Sequence, residues 1–351
     1  MRIAVDVMGG DHAPDAILKG CFDALEHLGP HDELVLVGPE KVIREAMHER
    51  GVSDTRLVIE RAEDVIAMDE SPAKAVRSKP DSSIVKMALV GSEKSDRRCD
   101  VVLSAGNTGA CVAAAIMHMR RLRYVHRPGI AVTFPAFHGP MVLTDAGANP
   151  EPKASHLWQY GVMAEVYAQR TLGIAKPRVA LMNIGSEEAK GTGIIKQTRD
   201  LLKSTPGLNY IGYVEGRDLF EGAADVIITD GLVGNTVLKS AEGMARSLFK
   251  AIAHEILMQK PELMLDFEPI VKSIYAKNDY HEHGGAPLLG VNGSCFIAHG
   301  SSEARTIKAA VRNCRNYVAS GVNEAIVQRL AELEPMMNEM AAIERDQKTP
   351  V

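Results

Sequence analysis

The sequence predicts a three-layer α/β/α sandwich in which a mainly parallel sheet lies between two layers of helices, with a projecting helical hairpin. Three observations predict this class. Short apolar runs rich in β-branched residues recur along the chain, helical patterns separate many of them, and polar glycine-containing segments follow several of the runs. Strands that alternate with helices are typical of parallel sheets. The chain has 351 residues, of which 46% are hydrophobic, so a large buried core is feasible.

Nine short runs have the composition of buried strands. They span residues 3–7, 34–37, 57–59, 101–103, 130–134, 142–144, 179–182, 210–213 and 226–228. Helices are predicted between many of them, for example over residues 15–28 and 153–172.

One segment, residues 231–275, is predicted to be helical throughout. Its apolar residues recur at spacings of three and four, and Pro261 interrupts the pattern. We expect a helical hairpin at about residues 236–276, inserted into the α/β body or projecting from it. Residues 1–325 are predicted to form one catalytic domain that includes this hairpin, and residues 326–351 a helical extension with a frayed tail.

Composition excludes several classes of protein. The net charge of −5 does not indicate binding to nucleic acid. The five cysteines are scattered and form no CxxC motif, which fits reduced thiols in a cytoplasm. The amino terminus does not resemble a signal peptide, and no run of about 18 apolar residues predicts a membrane span.

Two glycine-containing loops follow strands in the first third of the chain. The first carries Asp6, Asp11 and two glycines, which permit close approach of a ligand to the backbone. Asp11 has an alternative role as the cap of the helix that follows. The second, residues 104–110, leads directly into a helix, whose free N–H groups form an anion site. The alternative is an ordinary tight turn between strand and helix.

Three similar loops follow strands farther along the chain, at residues 144–150, 183–192 and 229–236. Because ligands of open parallel sheets bind beyond the carboxyl ends of the strands, we expect all these loops to converge along one edge of the sheet. Lys190 is the only cation within them and would neutralise a bound phosphate. Its alternative is an exposed lysine in a loop.

Nucleophile and metal motifs are weak. The chain lacks the Gly-x-Ser-x-Gly motif, and Cys111 is interpreted as a buried helix thiol. His281 and His283 invite a metal site, but no third ligand is evident, so we expect no metal. His299 precedes two serines that begin a helix, and it either belongs to the site or supports the helix cap.

Six segments together resemble the phosphate:acyl-carrier-protein acyltransferase family of bacterial phospholipid synthesis. The resemblance runs in order from Met1 to about Ala325, and it departs from the family at His281 and His283. The segments are AVDVMGGDHAP at 4–14, SAGNTGA at 104–110, DAGAN at 145–149, NIGSEEAKG at 183–191, DGLVGN at 230–235 and GGAPLLG at 284–290.

The resemblance implies a homodimer with a sandwich related to phosphotransacetylases and isocitrate-dehydrogenase-like folds. It implies reversible transfer of a fatty acyl group from acyl carrier protein to inorganic phosphate, with neither metal nor organic cofactor. The acyl phosphate would pass to a membrane glycerol-3-phosphate acyltransferase for phosphatidic acid synthesis. The enzyme would be cytoplasmic and peripherally attached to the anionic inner face of the cell membrane.

This chemistry needs few reactive side chains. Phosphate is already a nucleophile and a thioester is already activated, so the enzyme mainly has to align the reactants and stabilise the oxyanion. We assign catalytic roles to Lys190, Asn235, His299 and Asp6. Contacts with phosphate or the acyl group are assigned to Ser104, Gly106, Asn107, Thr108, Gly109 and Asp145.

Two basic stretches are candidate docking sites for the acidic carrier protein. They comprise Arg120, Arg121 and Arg123, and the helical set Arg305, Lys308, Arg312 and Arg315. Spacings of three and four place the second set on one helical face. The alternative for each is an ordinary solvated surface.

The turn of the predicted hairpin is apolar and is a candidate for shallow insertion into a membrane surface. Its alternative is a dimer or core contact. The residues are Leu257, Met258, Leu263, Met264, Leu265 and Phe267.

Three other functions compete with carrier-dependent transfer. One is a phosphotransacetylase-like enzyme that uses coenzyme A. Another is a nicotinamide dehydrogenase, which the missing GxGxxG motif disfavours, although related folds bind that cofactor without it. The third is a membrane-bound scaffold for lipid-synthesis enzymes, without catalysis.

Overall fold

The computed structural model describes residues 1–136, 139–277 and 284–346. All nine predicted strands are present, and two short strands near residue 290 were missed. The strands are β1 Arg2–Asp6, β2 Glu33–Gly38, β3 Leu57–Arg61, β4 Val101–Ser104, β5 Gly129–Ala136, β6 Gly139–Thr144, β7 Val179–Met182, β8 Tyr210–Val214, β9 Val226–Ile228, β10 Ala286–Leu289 and β11 Ser294–Ile297.

Helices connect most of these strands. The predicted helix over residues 15–28 ends at Asp23 and continues as one 3₁₀ turn, Ala24–His27. The α-helices are α1 Asp15–Asp23, α2 Glu40–Glu49, α3 Pro72–Ser78, α4 Ser83–Val90, α5 Thr108–Ala114, α6 Ala154–Thr171, α7 Gly193–Ser204, α8 Gly231–Gln259, α9 Met264–Lys277, α10 Ala304–Ala319, α11 Val322–Glu332 and α12 Glu334–Asp346.

The described strands form one sheet in the order β3-β2-β1-β4-β11-β10-β5-β6-β9-β7-β8. Most neighbours pair in parallel, which confirms the predicted mainly parallel sheet. Antiparallel pairing occurs where β11 meets β10, where β10 meets β5 and where β5 meets β6. Because the direction reverses three times, β6, β7, β8 and β9 run opposite to β1, β2, β3, β4 and β11.

This reversal separates the functional loops. We call the side at which β1, β4 and β11 end the first rim, and the side at which β6, β7 and β9 end the second rim. The expectation that all glycine-containing loops converge along one edge is therefore wrong. Its cause is the pair β10 and β11, which were missed because each has only four residues and β10 contains Pro287.

Alternating residues of each strand pack on opposite faces of the sheet. On β1, Ile3 and Val5 join one hydrophobic cluster while Ala4 joins another. The first cluster includes residues of α1, α6, α10, α11 and α12, and the second includes residues of α3, α4 and α5. Helices thus cover both faces, which confirms the predicted three layers.

The predicted projecting hairpin consists of α8 and α9 and begins at Gly231, a few residues earlier than expected. Near its start, Val237 and Ala241 pack on a third cluster formed by β5, β6, β7 and β9. Farther along α8, Met244 and Leu248 are exposed. Within the described ranges, no helix is both long and apolar enough to cross a membrane. The division at residue 325 stays a prediction.

Two glycines of α8 allow a matched test of how closely this helix packs on the backbone of Asp145. A Cβ atom at Gly234 would overlap the carbonyl oxygen of Asp145, whereas nothing lies within 4 Å of one at Gly243. We expect Gly234→Ala to lower the free energy of unfolding by about 1–3 kcal/mol, because backbone must move. Gly243→Ala should raise it by about 0.5–1 kcal/mol. Urea denaturation followed by circular dichroism measures both, and equal effects would contradict the close packing.

Candidate active site

Asp6 organises the first rim from a fully buried position. Its Oδ2 accepts a hydrogen bond from Ser104 Oγ at 2.7 Å, and its Oδ1 accepts one from the Met8 N–H at 3.1 Å. Ser104 Oγ in turn accepts from the Gly106 N–H at 3.0 Å. Burial raises the pKa of Asp6, and hydrogen bonds from Ser83 and Ser104 oppose that rise. The carboxyl group therefore holds two loops together.

Glycines allow the three first-rim loops to touch. A Cβ atom at Gly9 would lie 2.7 Å from the Gly106 nitrogen, so only glycine permits this approach. Gly10 has a φ of +117°, and the Asp11 N–H donates to the Gly300 carbonyl at 2.7 Å. The loops after β1, β4 and β11 therefore form one cluster.

Asn107 has a structural role that the predicted phosphate cradle did not include. Its Oδ1 accepts from the Ala110 N–H at 3.0 Å and caps α5. Its Nδ2 donates to carbonyls of Ala67, Met68 and Glu70 at 3.1–3.2 Å. Both polar atoms of the side chain are bonded within the protein, so Asn107 positions residues 67–70.

His299 lies on the first rim beside a lysine that the predictions missed. Its Nε2 contacts Lys239 Nζ, and its Nδ1 lies 2.7 Å from Ser301 Oγ. Glu242 Oε2 lies 4.0 Å from His299 Nε2. Burial, and then the charge of Lys239, lower the pKa of His299, which favours a neutral imidazole near pH 7. The helical spacing of Asn235, Lys239 and Glu242 is the sequence signal that could have identified this group.

Asp145 organises the second rim in the same way as Asp6 organises the first. It is fully buried, and its Oδ1 accepts from the N–H groups of Ile130, Gly147 and Ala148. Its Oδ2 accepts from the backbone and side-chain nitrogens of Asn149 at 2.7 and 3.1 Å. Burial raises the pKa of Asp145, and these donors oppose the rise. Asp145 thus fixes the conformation of the loop after β6, residues 145–150, which we call the Gly147 loop.

The amino end of α8 packs directly on this loop. The Gly231 N–H donates to the Asn149 carbonyl at 2.8 Å, and Gly234 leaves room for the Asp145 carbonyl. A Cβ atom at Gly147, whose φ is +134°, would lie 3.7–3.9 Å from atoms of the exposed Asn235 side chain. An amide group and the start of a long helix thus meet a glycine loop.

Lys190 also belongs to the second rim, because β7 lies next to β9. It is exposed, and its Nζ lies 2.8 Å from Glu187 Oε1. The hydrogen bond from Lys190 lowers the pKa of Glu187. An exposed ion pair of this kind contributes little stability, so an anionic ligand can displace the carboxylate.

The predicted residues therefore fall into two groups that α8 connects. Asp145, Lys190 and Asn235 lie on the second rim, while the first-rim group comprises Asp6, Ser104, Gly106, Asn107, Thr108, Gly109 and His299. Asn235 is one helical turn, about 6 Å, from Lys239, which contacts His299. Residues from both rims thus border the amino-terminal half of α8.

Cys111 is buried in α5, as expected. Burial raises the pKa of its thiol well above the ordinary value, so it is a poor nucleophile. Among the described residues, no group of three or more His, Cys, Asp or Glu side chains is placed to hold a metal ion. His281 and His283 lie outside the described residues.

The two basic stretches differ in their neighbours. Arg120, Arg121 and Arg123 are exposed on the loop before β5. On α10, by contrast, charged partners lie close by: Lys308 is 2.7 Å from Glu26, Arg315 is 3.3 Å from Asp32, and Arg305 is 3.5 Å from Glu303. Arg312 is half-buried on the same helix. The positive charge of the α10 set is therefore largely compensated.

The turn between α8 and α9 is exposed, as expected. Leu257, Met258, Leu263 and Leu265 are 53%, 72%, 44% and 81% exposed. Met264 and Phe267 are half-buried. This cluster costs free energy in water unless another apolar surface covers it.

Two aspartates of the second rim allow the role of Asp145 to be tested. All five hydrogen-bonding partners of its carboxylate are donors, so Asp145→Asn would turn an amide N–H group toward a donor. We expect a loss of about 1–3 kcal/mol in unfolding free energy. Asp230 caps α8 by accepting from the Val233 N–H at 2.9 Å, and asparagine caps equally well. The unfolding free energy of Asp230→Asn, measured by thermal unfolding, should therefore stay near that of wild type. Equal losses of unfolding free energy in the two variants would contradict the role of Asp145.

Comparisons with known proteins agree with this architecture. A family model described as a fatty acid synthesis protein matches residues 1–325. Proteins named phosphate acyltransferase from Dictyoglomus turgidum and Heliobacterium modesticaldum are 41% and 44% identical over 336 and 340 residues. These alignments cover 95% and 96% of this chain, and 98% and 100% of the two relatives.

Two solved structures share the fold at low sequence identity. A phosphotransacetylase from Streptococcus pyogenes has a TM-score of 0.58 at 14% identity, covering 91% of this chain and 94% of that one. A branched-chain phosphotransacylase from Enterococcus faecalis has a TM-score of 0.54 at 13% identity, covering 91% and 99%. The predicted family and fold are both confirmed, and the chain belongs to the phosphate acyltransferases, a family of acyltransferase enzymes.

Proposed function

We propose that this enzyme reversibly transfers a fatty acyl group from acyl carrier protein to inorganic phosphate, giving acyl phosphate for phosphatidic acid synthesis. The observation that carries the proposal is the packing of Asn235 and the start of α8 on the Gly147 loop, on the rim to which Lys190 also belongs. A helix amino terminus, an amide donor and a lysine are the groups that bind phosphate in proteins.

The reaction then proceeds by direct displacement. A phosphate oxygen attacks the thioester carbonyl, the C–S bond breaks, and the proton of hydrogen phosphate ends on the carrier thiol. Lys190 neutralises the phosphate, and Asn235 donates to phosphate or to the carbonyl oxyanion. A thiol is a good leaving group, since its pKa is near 8.5, so little acid assistance is needed.

The remaining site residues take supporting roles in this proposal. Asp6, Asn107 and Asp145 position loops, because their polar atoms are bonded within the protein. His299 orients a reactant from the first rim as a neutral imidazole. Candidates for contact with the acyl donor are Ser104, Gly106, Thr108 and Gly109.

One assay separates this function from its competitors. Purified protein is incubated with acyl-ACP and phosphate, acyl phosphate is trapped with hydroxylamine, and released ACP is measured. Formation of both products in equal amounts is expected. Activity with acyl-CoA alone would indicate a phosphotransacetylase-like enzyme, and no product with either donor would favour the scaffold.

Lys190→Ala should raise the KM for phosphate ten- to a hundredfold in a folded protein. The reason is the loss of one charge-assisted contact, worth about 1.5–3 kcal/mol. Lys203 provides a matched control, because it is an exposed lysine that contacts the next glutamate of the same loop, Glu188. Initial rates against phosphate concentration measure both variants. A normal KM for Lys190→Ala would remove Lys190 from the site.

We propose that the acidic carrier docks on the stretch formed by Arg120, Arg121 and Arg123, whose exposed charges are less compensated than those of α10. Glutamate at all three positions should raise the KM for acyl-ACP at least about tenfold at low salt and leave the KM for phosphate unchanged. The same reversal on α10 is expected to have a smaller effect. If neither reversal changes the KM for acyl-ACP, the carrier docks elsewhere.

We further propose a cytoplasmic homodimer, not bound to nucleic acid, that lies on the anionic inner membrane surface and supplies a membrane glycerol-3-phosphate acyltransferase. The exposed turn of the α8–α9 hairpin would make the membrane contact. An acyl phosphate is both apolar and labile to water, which favours its release at a membrane.

Leu263→Glu combined with Leu265→Glu should weaken binding to anionic vesicles and leave acyl phosphate formation in solution nearly intact. The physical reason is the cost of placing two carboxylates in an apolar interface. Vesicle sedimentation measures binding, and Ile211→Glu changes an exposed apolar residue outside the hairpin as a control. Loss of dimerisation or solution activity, with vesicle binding retained, would assign the turn to protein packing instead.

A further inference from the structure

A line of polar side chains runs along α8 between the two rims. Asn235, Lys239, Glu242 and Arg246 are spaced by four, three and four residues, so they share one face of the helix. We call this line the polar stripe of α8. Its first member lies against the Gly147 loop, and its second contacts His299. The stripe therefore extends from the second rim to the first.

The contact between Lys239 and His299 joins α8 to the loop after β11. Lys239 Nζ contacts His299 Nε2. On the other side of the ring, Nδ1 accepts a hydrogen bond from the Ser301 N–H at 3.2 Å and lies 2.7 Å from Ser301 Oγ. These contacts fix the orientation of the ring toward α8.

Lys239 is held near an acid without being bonded to it. Glu242 Oε2 lies 4.0 Å from Lys239 Nζ, beyond hydrogen-bond distance. The Glu242 side chain is only 15% exposed, whereas that of Lys239 is 49% exposed. The charge of Asp11 on the first rim raises the pKa of His299, and that of Arg246 on α8 lowers it. Lys239 thus keeps N–H groups that a ligand entering from solvent can reach.

Lys239 lies close to Asn235, the residue proposed to bind phosphate or the oxyanion. It is four residues from Asn235, which places the two side chains on the same face about 6 Å apart along the axis. A tetrahedral anion held by Asn235 is within reach of a long lysine side chain one turn away. Lys190 belongs to the second rim as well, in the loop after β7, the strand next to β9.

We propose that Lys239 binds a phosphate-group anion during acyl transfer, and that Glu242 and His299 hold the lysine in place when the site is empty. This inference rests on the proposed function. The anion is either the inorganic phosphate that is acylated or the phosphodiester in the prosthetic arm of the carrier protein. Both present the charge and acceptor oxygens that an ammonium group binds.

Steady-state kinetics with acyl-ACP and phosphate, together with calorimetric titration of inorganic phosphate, tests the inference. Lys239→Ala should raise the KM for one of the two substrates at least tenfold, and Lys239→Arg should retain part of the affinity. A weaker calorimetric affinity for phosphate would identify inorganic phosphate as the anion. An unchanged phosphate affinity with a raised KM for acyl-ACP would identify the phosphodiester.

Lys250→Ala, an exposed lysine eleven residues farther along α8, is the matched control and should behave as wild type. Lys239→Gln removes the charge but keeps a polar side chain, and it replaces the alanine variant if the latter does not fold. If both KM values and the phosphate affinity stay within twofold of wild type in a folded Lys239 variant, the inference is overturned. If wild type itself forms no acyl phosphate, the proposed function fails, while calorimetry still reports on Lys239.

Discussion

The close packing of Gly234 on the carbonyl group of Asp145 determines where α8 begins, and most of the candidate site depends on it. Asp145 is itself held by five hydrogen bonds from backbone and amide donors. The first turn of α8 therefore packs directly on the backbone of this hydrogen-bonded loop, without a side chain between them. This packing brings Asn235 close to Gly147 at the amino end of the helix.

Reversal of the sheet puts residues of the two rims on opposite sides, and the first turns of α8 lie between them. Because strands on the two sides of β10 and β5 run in opposite directions, their loops end on opposite rims. α8 starts at the second rim and reaches His299 of the first rim slightly more than two turns later, at Lys239. A thioester donor and a phosphate acceptor have to meet in one place, and α8 supplies a common boundary for residues from both rims.

The sequence predicted the layers well and the site less well, for different physical reasons. Buried strands such as β1 and β4 are runs of aliphatic residues that end in polar glycine loops. Because this pattern lies within a few adjacent residues, it predicts the strands from the sequence alone. The direction of the sheet instead depends on β10 and β11, which are short and include Pro287. No local sequence pattern indicates that β10 pairs antiparallel with β11 and β5. The predicted convergence of the loops was wrong for this reason.

Roles of individual side chains were also only partly predictable. Polar residues at strand ends were predicted to contact the substrates, but Asn107 and Asp145 use their polar atoms on neighbouring backbone groups. Sequence alone does not distinguish a side chain that binds a ligand from one that shapes the loop. Lys239 was not predicted, because the sequence pattern of α8 indicates its apolar face but not which residue of the polar stripe lies beside His299.

Hydrogen exchange of backbone amides, measured with and without inorganic phosphate, tests the placement of phosphate most directly. The first turn of α8, residues 231–236, is compared with the first turn of α5, residues 108–111, which offers a similar helix terminus on the other rim. Phosphate is expected to slow exchange at the start of α8 and to leave exchange at the start of α5 unchanged. Slower exchange at the start of α5, with unchanged exchange at the start of α8, would contradict this placement and put the phosphate on the first rim.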